Sequence, residues 1–247
     1  MKLLVLASLI VTLAIASFAA DGKPVTYTSG TDTVNAVLYT PQGKGPFPAL
    51  VVIHEWWGVN DWVKEEASKL ADQGYVALAI DLYRGKVATT PEEAHEIMRG
   101  VPDDRASRDL LAATTYLGSQ SNVDPKRIGS IGWCMGGGYS LNLAVADPRL
   151  KAAVINYGHL ASDDATLKKI NASILGIFGG QDKGIPVADV TKFESQLKAL
   201  GKTVDIHIFP DAGHAFQNPN NKQGYRADDA AQARKLTTDF LAKYLKQ

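Results

Sequence analysis

The chain has 247 residues, 45% of them hydrophobic, which is the makeup of an ordinary globular protein with one sizeable core. Its 26 Lys and Arg balance 26 Asp and Glu, so no long-range field draws in nucleic acid or an anionic membrane surface. A single Cys excludes an internal disulfide.

Lys2 precedes an apolar run over residues 3–18, broken only by Ser8, Thr12 and Ser17, and Ser17 and Ala19 flank Phe18 as a small-x-small pair. That pattern predicts a secretory signal peptide over residues 1–20, removed after Ala19 or Ala20. The competing expectation is a retained anchor, because the run is almost long enough to span a bilayer. With the leader removed, the expected product is a periplasmic or secreted monomer with no stable membrane association. Residues 21–247 then form a single domain.

Residues 23–28 and 33–39 read as two strands around a Gly30 turn. A loop rich in Gly and Pro follows over 41–48, and 49–53 is a continuous apolar strand of the kind covered on both faces in a parallel sheet. An amphipathic helix over 61–73 ends at Gly74, and 75–80 is the next buried strand. Thr90, Pro91, Glu92 and Glu93 mark a helix start, with a polar cap, Pro in the first turn and acids at the positive end. A further helix is predicted over 105–118, a strand over 127–133 and a helix of small residues over 136–146. Strands over 152–156 and 174–178, a helix over 187–200, a strand over 203–209 and a helix over 226–245 complete the chain. Strands alternating with helices need crossover connections, so the fold class is α/β, a mainly parallel sheet with helices on both faces. Reactive groups in such sheets lie at the carboxyl ends of the strands.

Gly132-Trp133-Cys134-Met135-Gly136 has the Gly-x-nucleophile-x-Gly form of a nucleophile elbow, with Cys in place of the usual Ser. A strand that reverses sharply into a helix strains the middle residue and brings neighbouring backbone close, which glycines two before and two after tolerate. The helix start also favours thiolate over thiol. Without such a motif a lone Cys is an inert, buried packing residue. Of His54, His95, His159, His207 and His214, the last lies in a loop after the final strand and before the final helix, where the base of such a hydrolase belongs. His207 sits inside an alternating strand, His95 on an acidic helix, and His159 is a second choice after a strand end. Asp182, just beyond the 174–178 strand, is placed to orient His214 and satisfies the order Cys, Asp, His; Asp211 is too close to His214 in sequence. An ordinary turn Asp is the competing reading for Asp182.

With these three placed, the chain resembles the dienelactone hydrolases, or carboxymethylenebutenolidases, of the α/β-hydrolase superfamily. The likeness covers nearly all of the mature part and rests on His54-Glu55-Trp56-Trp57-Gly58, Asp81-Leu82-Tyr83, the elbow, Gly180-Gln181-Asp182 and Ala212-Gly213-His214-Ala215-Phe216. The resemblance implies cleavage of a lactone or small activated ester through a thioester acyl-enzyme, with neither metal nor organic cofactor. It implies that Glu55 keeps the resting thiol neutral and takes its proton when substrate arrives, against a plain role capping the helix near Asp61. It also puts the N–H groups of Trp56 and Met135 at the oxyanion-hole positions. Relatives in this family hold a substrate carboxylate with two arginines; here Asn218 stands at one place, and near the other the order Arg84, Gly85, Lys86 leaves Arg84 to bind an acid group. Trp57, with Trp56, points to an aromatic pocket or to core packing. A competing reading is a non-catalytic or redox-sensing module that uses its single thiol for binding or oxidation.

Overall fold

The computed structural model describes residues 20–247, so all of the expected leader except Ala20 lies outside the described residues. Two strands open the described chain, β1 (Lys23–Ser29) and β2 (Asp32–Tyr39), followed by β3 (Phe47–Ile53), α1 (Asp61–Asp72) and β4 (Val76–Ile80). Next come α2 (Pro91–Arg99), α3 (Asp103–Gly118), β5 (Val123–Trp133), α4 (Met135–Ala146) and β6 (Ala152–Asn156). The chain closes with α5 (Asp164–Leu167), β7 (Ser173–Gly179), α6 (Val187–Ala199), β8 (Val204–Phe209) and α7 (Ala227–Leu245). One 8-stranded sheet runs in the order β1-β2-β4-β3-β5-β6-β7-β8. The first two strands pair antiparallel, β2 is antiparallel to β4, and every later pairing is parallel. This is the mainly parallel architecture that the alternation of strands and helices implies.

The strands face a core on both sides, and side chains alternate between them. Ala49, Val51 and Ile53 of β3 and Val76, Leu78 and Ile80 of β4 face a layer closed by α3, α4 and α6. Leu50, Val52, Ala77 and Ala79 face the opposite layer, where α1 contributes Trp62, Val63 and Leu70 and α7 contributes Phe240, Leu241 and Leu245. Local caps set several helix ends. The Asn60 side chain accepts from Val63 N–H, Thr90 accepts from Glu93 N–H, and Gly74 adopts a positive φ of 90° just after the end of α1.

Beyond shifts of a residue or so, three element starts and one short element differ from the sequence-based expectation. β3 begins at Phe47 and runs through Pro48, because the pairing of β3 with β5 shifts register between Phe47 and Ala49, where a missing N–H costs no ladder bond. β5 starts at Val123, ahead of the regular pairing that begins at Ile128. α3 starts at Asp103 after Pro102, which has no side-chain cap to announce it. The single turn α5 was not expected; it is capped by Asp163, which accepts from Thr166 N–H, and is too short to show a period. None of these moves the carboxyl ends of β3, β5, β6, β7 and β8, which open on one rim of the sheet. Among the described residues no helix is long and apolar enough to cross a membrane.

Candidate active site

Cys134 follows the last residue of β5 and caps α4, with φ 54° and ψ −119°, a conformation that L side chains rarely adopt. The neighbours hold it there. Cys134 N–H donates to Asn156 O at 3.0 Å, and the Asn156 side chain returns a bond to Gly132 O at 3.0 Å. A Cβ on Gly132 would strike the Gly136 carbonyl, and one on Gly136 would strike the carbonyls of Ile53 and His54. The elbow therefore packs backbone on backbone against β3, and the thiol is left half-buried at the sheet rim.

His214 reaches the thiol from the loop after β8. Its Nδ1 lies 2.7 Å from Asp182 Oδ2, and Tyr157 packs edge-on against the ring with centroids 5.3 Å apart. Asp182 itself is buried, and its other oxygen accepts from the N–H groups of Gly184 and Ile185. Burial opposes ionisation of Asp182, but the bonds from His214 and these two N–H groups hold its carboxyl below the usual range. Burial also works against a charged His214; the hydrogen bonds to Asp182 and Cys134 and the charges of both outweigh it and push the imidazole up to about 10. The ring thus holds its proton at neutral pH when Cys134 beside it carries charge.

Glu55, one residue past His54 at the end of β3, lines the same cavity as Cys134 and His214 and is only 2% exposed. Its Oε2 accepts from Asn218 Nδ2 at 2.7 Å, and its Oε1 has no partner. Burial raises its carboxyl to about 7, against the lowering effects of Asn218 and of the nearby His214. His54 supports the loop: Nε2 accepts from Leu82 N–H, Nδ1 donates to Glu55 O, and burial keeps the ring neutral by lowering its pKa. Trp56 and Trp57 meet edge to face at 5.0 Å, and both border the cavity. The Tyr83 hydroxyl lies 3.0 Å from Trp56 O, to which it donates, and 3.3 Å from Met135 Sδ. Among the described residues the N–H groups of Trp56 and Met135 find no backbone acceptor; Met135 follows Cys134 directly, and Trp56 lines the same cavity.

Residues 34–245 match the dienelactone hydrolase family. The chain belongs to the dienelactone hydrolase family. A protein of Methylorubrum extorquens named "putative carboxymethylenebutenolidase" is 35% identical over 83% of this chain and 75% of its own. A solved structure of a "putative dienelactone hydrolase" from Klebsiella pneumoniae superposes with a TM-score of 0.83 at 27% identity, over 92% of this chain and 100% of that one. A dienelactone hydrolase-like promiscuous phosphotriesterase from metagenomic libraries gives 0.85 at 25% identity, over 92% and 99%. Family membership makes the chain a hydrolase acting on esters or lactones, with an α/β-hydrolase fold.

Against that family pattern, the two expected substrate contacts fall differently. Arg84 does not line the cavity with Cys134; its Nη2 lies 2.7 Å from Oδ2 of the fully buried Asp109 and 3.8 Å from Asp32. The approach to Asp109 lies outside hydrogen-bond geometry, so this is an ionic contact, and it joins the loop after β4 to α3. Arg84, expected to bind an acid group of the substrate, thus stands beside a buried carboxylate and away from the cavity that Cys134 lines. Asn218 does line the cavity, but its amide donor is engaged by Glu55. Sequence reasoning also missed a link between the elbow and the His214 loop. Gln217 Nε2 donates to Asn156 Oδ1 at 2.9 Å, while Gln217 Oε1 accepts from Trp133 Nε1 at 3.3 Å.

Two outcomes follow from these contacts. Arg84→Ala leaves Asp109 charged and buried without its cation, and urea unfolding should show a loss of about 3 kcal/mol while kcat/KM per folded molecule changes less than about twofold; a large drop in kcat/KM at unchanged stability would restore Arg84 to the substrate site. For Glu55, a folded-state pKa above the ordinary value means that the folded protein binds the proton more tightly than the unfolded chain. Stability is thus lost as pH rises from 4.5 to about 7, with the full cost present above that window and none below it. Glu55→Gln removes the cost and keeps an acceptor for Asn218, so its melting temperature should exceed wild type by a few degrees at about pH 8.5 and equal it at about pH 4. Equal melting at both pH values would contradict the burial argument.

Proposed function

We propose that this hydrolase cleaves its ester or lactone through Cys134 as nucleophile, His214 as proton carrier and Asp182 as the group that orients the ring. The observation that carries the reading is the line formed by a strained elbow thiol, an imidazole beside it, and a buried carboxylate 2.7 Å from the far ring nitrogen.

The protonation states support a division of labour. The imidazole value near 10 belongs to the state in which Cys134 is charged, so the ring keeps its proton through the thiolate attack and another group is needed for the thiol's own. Glu55, with a carboxyl near 7 and an unpartnered Oε1 on the shared cavity, takes that proton instead. The thiolate sulfur then bonds to the carbonyl carbon, and the free N–H groups of Trp56 and Met135 receive the oxyanion. The carbon to oxygen bond breaks as His214 gives its proton to the departing alkoxide, leaving a thioester and a neutral imidazole. His214 next takes a proton from water as the water oxygen attacks the thioester. Collapse releases the carboxylic acid and the thiolate, and Glu55 returns its proton to sulfur.

Cys134→Ala should lower p-nitrophenyl acetate turnover at least a thousandfold while the protein stays folded, and acid-quenched wild type should carry one acyl group on Cys134 by peptide mass spectrometry. Undiminished turnover in Cys134→Ala would assign the chemistry elsewhere. The pH profile of kcat/KM is expected to be a bell. It rises as Glu55 loses its proton near 7 and falls as His214 loses its own near 10. In Glu55→Gln the acid limb near 7 should vanish, and its survival would exclude Glu55 as the proton acceptor.

A further inference from the structure

The thiol does not sit at the bottom of one pocket but on a partition between two. Cys134, His214 and the Trp56 ring border both chambers. One chamber, of about 630 Å³, extends past Glu55 and Trp57 to Asn218 and the loop carrying Lys222. The other, of about 640 Å³, extends under the end of α2 past Met98 and Val101 to Tyr139, Tyr157 and Ile185. Each alone is the size of a site for a drug-sized ligand, far beyond what a single small ring fills. Both linings are mostly apolar.

Apart from His214 at the partition, whose proton the proposed reaction itself uses, neither chamber holds a cation placed for a substrate carboxylate. Arg84 is paired with Asp109 outside both, and Asn218 spends its donor on Glu55. Lys222 and Arg99 reach the two linings only as exposed side chains, where water screens them, and Arg99 Nε already donates to His95 O. Asp103, also exposed, adds negative charge to the second rim, and the Glu55 carboxylate adds it to the floor of the first. A carboxylate at the end of an arm in either chamber would lose its hydration and, away from His214 at the partition, gain no buried positive partner, a cost that an uncharged arm does not carry.

We propose that the substrate is an uncharged carboxylic ester with two substantial arms, one lying in each of the chambers that flank Cys134, and not a compact lactone bearing a carboxylate. The inference rests on the thiol-hydrolase reading above, and the carbonyl carbon meets the sulfur at the partition, where one imidazole serves arms on both sides.

The test compares kcat/KM of the full-length protein on four probes: p-nitrophenyl acetate, p-nitrophenyl phenylbutyrate, p-nitrophenyl hemiglutarate and dienelactone. The phenylbutyrate should exceed the acetate at least tenfold, because each methylene that enters a fitted apolar site contributes a factor of that order. The hemiglutarate, charged at the end of its acyl arm, should fall at least tenfold below the phenylbutyrate, and dienelactone should be the poorest of the four. If acetate is turned over through Cys134 but phenylbutyrate gains nothing, or the two charged probes are preferred, the two-armed substrate is overturned and the thiol mechanism stands. Absence of turnover on every probe, or turnover that persists in Cys134→Ala, overturns the mechanism and this inference with it.

Discussion

The reactive end of the sheet depends on one backbone residue held in a conformation that it would not choose. Cys134 at φ 54° carries strain on the order of 1–3 kcal/mol. That strain persists because the chain around it is over-determined. Gly132 and Gly136 let α4 close on β3 at contact distances that no side chain permits, and Asn156 bonds to the elbow on both sides. The sulfur consequently points out of the rim with no freedom to retreat into the sheet. Each of its chemical partners is then brought to it from a different strand end: Glu55 after β3, Asp182 after β7 and His214 after β8.

Charge is distributed around that sulfur in an uneven way. His214 gains more from Asp182 and Cys134 than it loses by burial, whereas Glu55, wrapped more completely and aided by the Asn218 amide and the charge of His214, gains less than it loses. Two titratable groups on one cavity are thereby driven to different values, the separation on which the proposed division of proton transfer rests. The neutral His54 behind them has no such part, since both of its ring nitrogens are occupied, Nε2 by Leu82 N–H of the loop after β4 and Nδ1 by the carbonyl of the adjacent Glu55.

The elements that were legible from sequence are those with a local signature. Continuous apolar runs marked β3, β4 and β6, the Thr90 and Pro91 pair marked the start of α2, and the spacing of Gly132, Cys134 and Gly136 marked the elbow. That Cys134, Asp182 and His214 lie together was legible because their order along the chain is a constraint independent of each residue alone. What was hidden is pairwise and distant. Glu55 and Asn218 are 163 positions apart, Gln217 and Asn156 are 61 apart, and Tyr83 spans 52 to reach Met135. No local pattern in a single sequence encodes such contacts, which is also why Arg84 looked available for substrate before Asp109 was seen to hold it.

The position of β8 gives the site a weak flank. Among the described strands it is the last in the sheet, with a pairing partner only in β7 and most of its residues incompletely covered. The imidazole hangs from the loop that leaves this strand, while the sulfur is anchored in the middle, between β3 and β6. Sheets loosen from their margins inward. Gentle warming would therefore part the ring from the sulfur while the central strands are still intact, and catalytic competence is a more fragile property of this molecule than its architecture.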